Sequence, residues 1–337
     1  MKIAIVNQKG GCGKTTTAIN LSYALSLEGF RTLLIDIDPQ AHATKALDCE
    51  SDLSLYNVLS DLADTKRGLK EIMVKKNEFF YLVPSEVILS TLEQELSTKD
   101  NRERRLLDEI IKEDLDSEFD FILIDCPPNL GLLTVNAIRA ADFLIIPLET
   151  SFFGLQALKQ LLEILELFQK KLNHQPTWKI LITMLDRRSK YSLNFLENIK
   201  KEYSQRIFET VIHFNIKLRE SLEYKKSVFE FNKYARGAKE YKSLCKEIIS
   251  LRGVPYTFRL QLQNANQVYV LGDFNNWQKK ERFRLVRFND GVFLKKVILD
   301  RGVYRYKFLV DGNWLEDPLN SEKVSNPFGG FDSVLKL

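Results

Sequence analysis

Soft metal ligands are scarce in this chain. Its 337 residues include three histidines, scattered at positions 42, 174 and 213, and four cysteines at 12, 49, 126 and 245. These form no C-x-x-C pair and no histidine cluster. That argues against a zinc site, an iron–sulfur scaffold or a disulfide framework, and the unpaired thiols point to a reducing cytoplasm. Long apolar runs are missing too: nothing approaches the roughly 20 consecutive residues that a membrane span requires. The N-terminus does not read as a signal peptide, because Lys2 leads straight into a short strand. A large excess of either charge is also absent. The net charge of +4 is too small to name a partner, since most surface charges are simply solvated.

What remains is the composition of a soluble globular protein, 45% hydrophobic and 28% charged, with length enough for two cores. Two sequence patterns divide it. Up to about residue 250, short apolar runs alternate with helical stretches: "KIAIVN" (2–7), "TLLIDID" (32–38), "FFYLVP" (79–84), "FDFILID" (119–125), "DFLIIPL" (142–148) and "KILITML" (179–185). Nearly continuous apolar runs are what strands buried on both faces require. Between them, "TTTAINLSYALSLEGF" is helical, with Gly29 suited to end it. "GLQALKQLLEILELFQKKL" (154–172) is another helix, whose leucine stripe reads as core packing rather than a zipper. Strand, helix, strand in repetition predicts an α/β domain: a parallel sheet with helices on both faces.

Past "SLRGVP" (250–255) the period becomes two, in "YTFRLQL", "QVYVLGDF", "RFRLVRF", "VFLKKVIL", "GVYRYKFLV" and "DSVLKL". Turn signals separate these runs, among them Asn289-Asp290-Gly291 and Asp311-Gly312-Asn313. Short alternating strands at this spacing predict a small antiparallel β-sandwich. The expected domains are therefore 1–251 and 256–337.

"NQKGGCGKTT" (7–16) is a phosphate-binding loop with an alteration. The pattern G-x-x-x-x-G-K-[ST] fits Gly13-Lys14-Thr15, but the first glycine is replaced by Gln8, and a second lysine, Lys9, follows it. Gly10, Gly11 and Gly13 allow backbone N–H groups to approach phosphates, with Cys12 and Thr16 in the same cradle. Lys14 can reach the β- and γ-phosphates, and the Thr15 hydroxyl can ligate magnesium. Carboxylates for that metal stand at strand ends. Asp36 and Asp38 in "LLIDIDPQ" are two apart on a strand, so their side chains share one face. Asp125 closes "FILID" just before Cys126-Pro127-Pro128, at the C-terminal end of a parallel strand, where ligands bind in such sheets.

"QKGGCGKTTTAINLSYAL", "LLIDIDPQAHAT", "FILIDCPPNLGLLTVNAI" and "ARGAKEYKSLCKEI" resemble the ParA/Soj branch of the ParA/MinD ATPases, over roughly residues 1–250. The resemblance implies a P-loop NTPase fold that binds ATP and Mg2+ and forms an ATP-dependent homodimer, two monomers sandwiching two nucleotides. It implies that Lys9 is the deviant lysine, crossing to the partner's phosphates much as an arginine finger does in trans. It also implies that Lys14 is the ordinary loop lysine and that Asp38 orients the attacking water. Thr15 and Asp125 then hold magnesium, with Asp36 nearby. Relatives read P-Q-G-N-A-T where this chain has Pro39-Gln40-Ala41-His42-Ala43-Thr44. They read I-P-R-N-V at Ile212-His213-Phe214-Asn215-Ile216, a segment that borders the adenine and includes Asn215. The family binds DNA non-specifically, and the candidate contacts are Arg187, Arg188, Lys190, Arg206, Arg219 and Arg236. Acidic residues are interspersed, so a solvated mixed surface stays open as the other reading. An activating protein partner also follows from the resemblance. A MinD-like membrane cycle does not, because the C-terminus is strand-rich rather than an amphipathic helix.

"VYVLGDFNNWQ", "VYRYKFLVDGNWLEDP" and "NPFGGFDSVLKL" resemble the glycogen-binding module of AMP-activated protein kinase β subunits, an E-set, Ig-like sandwich, over about 256–337. A glucan site wants flat aromatic platforms plus a few hydrogen-bonding groups. The resemblance implies that Trp277 and Trp314 stack on glucose rings and Lys307 bonds hydroxyls. Phe328 stands where many relatives have leucine, and Asp332 where many have asparagine. The competing possibility is that both tryptophans are core residues.

Two functions follow. One is a ParA-like ATPase tethered to an α-glucan and positioning or segregating a cargo. The other is a chromosome or plasmid partition ATPase on DNA, whose sandwich binds a protein. A glucan-processing enzyme is disfavoured by the absence of paired catalytic carboxylates in the sandwich.

Overall fold

The computed structural model describes residues 1–288 and 291–337. The chain divides into two compact units. One comprises residues 1–27, 31–116 and 120–245; the other comprises 246–337 with the short segments 28–30 and 117–119.

The first unit is built on seven strands: β1 (Lys2–Ile5), β2 (Thr32–Asp36), β3 (Val74–Lys75), β4 (Phe80–Val83), β5 (Phe121–Asp125), β6 (Phe143–Glu149) and β7 (Thr177–Thr183). Their order is β3-β4-β2-β5-β1-β6-β7. All neighbours are parallel except β3, which pairs antiparallel with β4 at the edge. Every residue of β2 and β5 is buried, which is why their sequences are unbroken apolar runs capped by an aspartate. The helix Lys14–Leu27 packs on β1, β2 and β5, and the helix Phe152–Leu172 packs on β6. Gly29, at φ +84°, follows the first of these. In the second, Ala157, Leu158, Leu161 and Phe168 are buried, so its apolar stripe serves the core. Strand ends Ile5, Asp125 and Asp36 stand side by side in register. The loops after β1, β2, β5, β6 and β7 therefore leave from one edge of the sheet.

The second unit has two antiparallel sheets. One holds β8 (Val254–Gln261), β10 (Val286–Arg287) and β11 (Val292–Leu299) in the order β10-β11-β8. The other contains β9 (Val268–Gly272), β12 (Val303–Val310), β13 (Asn313–Leu315), β14 (Lys323–Ser325) and β15 (Phe331–Lys336). There β12 is central, pairing with β9, β13 and β15. Phe258, Leu260, Phe293 and Val297 from one sheet meet Val270, Tyr306, Phe308 and Leu335 from the other in a single apolar cluster, making the sandwich.

One sequence expectation needs correction here. "RFRLVRF" does not form one strand. Residues 281–283 form a 3-10 turn, and Arg284 bridges to Tyr269 in the β9 sheet, whereas 286–287 pair with β11 in the other. The alternation is real, but the segment crosses between sheets. The Asp311-Gly312 turn is present, with φ +46° and +89° joining β12 to β13. The other expected turn falls on Asn289 and Asp290, outside the described residues.

Candidate functional site

In the first unit the loop 7–13 follows β1, and its backbone takes left-handed turns at Gly11 (φ +73°) and Gly13 (φ +90°), conformations open to glycine at no steric cost. Asn7 anchors its start, donating Nδ2 to the Pro147 carbonyl at 2.6 Å and accepting the Lys9 N–H at 2.9 Å. At the other end, the Thr183 hydroxyl donates to the Cys12 carbonyl at 2.8 Å. Gly13 accepts the Thr17 N–H at 2.9 Å, so the loop runs directly into the helix that carries Lys14, Thr15 and Thr16. The buried Lys14 Nζ donates to the Lys9 carbonyl at 3.2 Å, lying across the loop. Cys12, like the other three cysteines, is buried and unpaired, and burial raises its pKa, so it has no thiolate character.

The carboxylates divide the work unequally. Asp125 is wholly buried, and among the described residues neither of its carboxylate oxygens has a hydrogen-bond partner. Burial, then the charge of its register neighbour Asp36, raises its pKa well above the ordinary range; Thr15 and Lys14 act in the opposite direction. A carboxylate so placed fits a cation: Asp125 and Thr15 would hold magnesium, which binds through one or two carboxylates plus phosphate oxygens. Asp36 is already satisfied. It accepts from the Thr44 N–H at 2.8 Å, the Thr44 hydroxyl at 2.7 Å and the Asp38 N–H at 3.2 Å. These bonds pin the segment that follows β2. Asp38 is not on the strand, which ends at Asp36, so alternation does not put the pair on one face. The loop turns through Pro39 to Ala41 at φ +55°, and Asp38 accepts the Gln40 N–H at 2.9 Å while its own carbonyl takes the Ser85 hydroxyl. Asn215 caps the helix Ile216–Glu223, accepting from the Lys217 N–H at 2.9 Å.

Lys9 has a partnership that the motif does not reveal. Its Nζ lies 2.6 Å from Glu149 Oε2 and 2.9 Å from Ser151 Oγ, at the end of β6.

The six basic candidates do not form one open stripe. Arg187 donates to His213, Arg188 grips Asp186 through two nitrogens, and Arg236 pairs with Glu240 at 2.6 Å. Arg206 lies over the Trp178 ring. Lys190 and Arg219 begin or ride separate helices. Among the described residues, carboxylates engage two of the six, Asp186 at Arg188 and Glu240 at Arg236.

In the second unit, a cleft of about 810 Å³ is lined by Trp277, Arg305, Lys307, Trp314, Asn326, Pro327, Phe328, Gly330 and Asp332. All five residues read from the sequence are in it. Neither tryptophan belongs to the core cluster, and Trp314 is 51% exposed, which removes the core-residue alternative. Asn276 and Trp277 are both left-handed (φ +53° and +58°). That turn swings Trp277 toward Trp314, ring centroids 5.9 Å apart and planes at 61°. Asn326, missed from sequence, shapes the tip. Its Oδ1 accepts the Phe328 and Gly330 N–H groups and its Nδ2 donates to Asp332 at 2.8 Å, leaving the Phe328 ring 95% exposed. Lys307 Nζ stands 4.0 Å from Asp332.

With both geometries described, the comparisons decide the family. Residues 1–178 match a family described as "AAA domain". The chain is 39% identical over 250 residues to the sporulation initiation inhibitor protein Soj of Bacillus subtilis, spanning 73% of this chain and 97% of that one. The chain belongs to the ParA/Soj family of P-loop ATPases. Among solved structures, the cobyrinic acid a,c-diamide synthase of Mycobacterium smegmatis with bound ADP and magnesium aligns with TM-score 0.62 and 28% identity, over 74% of this chain and 93% of that one. The ATP complex of McdA from Cyanothece aligns with TM-score 0.65 and 25% identity, over 75% and 97%. Outside the ParA/Soj region, residues 254–336 match the glycogen recognition site of AMP-activated protein kinase. Among the described residues, no helix is long and apolar enough to cross a membrane.

Proposed function

We propose that this ParA/Soj ATPase dimerises on ATP to position or segregate a cargo, and that its second unit attaches it to an α-glucan such as glycogen. The observation that carries the reading is the aromatic cleft: two half-open tryptophans, an exposed phenylalanine and a lysine–aspartate pair on one apolar surface. Apolar C–H faces of glucose stack on such rings, while the rim bonds hydroxyls.

The nucleotide end supports dimerisation. Phe152, Phe153 and Phe214 are each 69% exposed, and Met184 is also exposed, close beside Gly13. Large apolar residues around a phosphate loop are suited to a second copy of the chain. In that dimer Lys9 acts on the partner's nucleotide, Lys14 on its own, and Asp38 orients water. Thr15 and Asp125 would hold magnesium, which would offset phosphate charge.

Co-sedimentation with glycogen tests the tether. The full chain should pellet with glycogen, and the double variant Trp277→Ala, Trp314→Ala should not. Retention on DNA with no glycogen binding would replace this reading with DNA partition.

A further inference from the structure

The Asp273 carboxylate accepts four hydrogen bonds. One comes from the Trp277 indole Nε1 at 3.1 Å, one from the Arg305 backbone N–H at 2.9 Å, and two from the Arg305 guanidinium, at 3.3 Å from Nε and 3.3 Å from Nη2. This requires close packing of the turn 273–275 on β12. Gly272 permits it, because a Cβ there would lie 2.4 Å from the Arg305 carbonyl oxygen. One carboxylate thus fixes both a sugar platform and a guanidinium that lines the same cleft.

The register of β12 says where the guanidinium stands. Arg305, Lys307 and Leu309 alternate onto one face of the strand, about 7 Å apart in sequence steps of two. Trp314 is opposite Leu309. Arg305 therefore marks the end of the cleft away from Trp314, with Lys307 between them. The indole N–H is already committed to Asp273, so Trp277 offers its face and no donor. Arg305 keeps the N–H groups that Asp273 does not take, since a guanidinium has five. Its charge is balanced by Asp273, which suits directed bonding to neutral hydroxyls better than capture of an anion.

We propose that Arg305, oriented by Asp273, is a further glucan-binding residue that extends the cleft by one glucose unit beyond Lys307. The proposal rests on the α-glucan reading of this cleft, and it names where the chain of sugars continues.

The test compares maltotriose with maltoheptaose by titration calorimetry on the full chain. Losing a bond from a charged donor weakens binding about tenfold. Arg305→Ala should lower maltoheptaose affinity by about that factor and maltotriose affinity less than twofold. Arg305→Lys, which keeps the charge and pairs with Asp273, should recover part of the loss. Asp273→Asn should weaken both sugars and alter tryptophan fluorescence, because it also loosens Trp277. Equal losses for both sugars in Arg305→Ala, or no loss for either, would overturn the role of Arg305 and leave the glucan reading intact. If the unaltered chain binds neither oligosaccharide nor glycogen, the glucan reading falls and this inference with it.

Discussion

Lys9 Nζ is held 2.6 Å from Glu149 Oε2, on its own chain, with the Ser151 hydroxyl as a second partner at 2.9 Å. A lysine that serves a partner's phosphates must first leave this contact. The pair is partly exposed, so its loss is worth up to about 1 kcal/mol, or about fivefold in an equilibrium. Glu149→Gln should therefore tighten the ATP-bound dimer by up to about fivefold in analytical ultracentrifugation. Unchanged or weaker dimerisation would show that Glu149 does not restrain Lys9.

Lys14 and Lys9 separate in a second experiment. Lys14→Ala should abolish ATP binding in calorimetry, whereas Asp38→Ala should bind ATP and stall as a dimer. Lys9→Ala and Asp38→Ala chains should each be inactive. Mixed dimers retain one site with its own Asp38 and the partner's Lys9, so part of the ATPase activity should return. Mixed dimers that form and stay inactive would rule out action in trans.

The strands that sequence reading found are those whose physical signature is loud. β2 and β5 are buried along their whole length, and burial on both faces writes an unbroken apolar run. The strands it missed are short or exposed: β3 has two residues, and β13 and β14 have three each, all exposed in the latter pair. The site divides in the same way. The loop and its lysine are contiguous, so their spacing is readable. Glu149 is 140 residues from Lys9, and Asp273 is 32 from Arg305. Neither contact leaves a local pattern, because only the fold brings the partners together. Alternation puts Asp38 on the strand only because it assumes that the strand continues, whereas β2 ends at Asp36, before Pro39.

Ala41 occupies φ +55°, ψ +39° beside Asp38. The left-handed conformation costs a side-chain-bearing residue about 1–2 kcal/mol, and the greater freedom of unfolded glycine offsets about 0.4–1 kcal/mol of any relief. Ala41→Gly should thus stabilise the first unit by about 0.5–1 kcal/mol in urea denaturation. Destabilisation would mean that contacts of the methyl group outweigh the strain.

His213 is a source of pH dependence. Its Nδ1 faces Glu240 Oε1 at 2.7 Å, and Nε2 accepts from Arg187 at 2.9 Å, which requires Nε2 to carry no proton. Burial, first, lowers its pKa, with Arg236 and Arg187 adding to the effect against Glu240. A folded pKa below the unfolded 6.5 means that the unfolded chain binds the proton more readily. Stability is therefore lost as pH falls below about 6.5, by no more than about 1.4 kcal/mol per pH unit for one proton. Between pH 7.5 and 5.5 the unaltered chain should lose stability relative to His213→Gln. Parallel urea midpoints for the two would show that the site does not titrate in this way.

ATP should control glucan attachment without touching the sugar site. A single small sugar site is weak, and a Kd near ~1 mM corresponds to only about −4 kcal/mol. A dimer carries two such sites, while a glycogen particle presents many chain ends. Once one module is bound, the second contact is intramolecular, and avidity can exceed single-site affinity by ~10²–10⁴-fold where both modules reach the same particle. The Asp38→Ala dimer, trapped with ATP, should therefore sediment with glycogen far better than the nucleotide-free monomer. A short maltooligosaccharide, which cannot bridge two modules, should bind both forms alike. Trp277→Ala with Trp314→Ala should abolish binding in each case. Equal glycogen binding by monomer and trapped dimer, at equal module concentration, would show that nucleotide state and glucan attachment are independent.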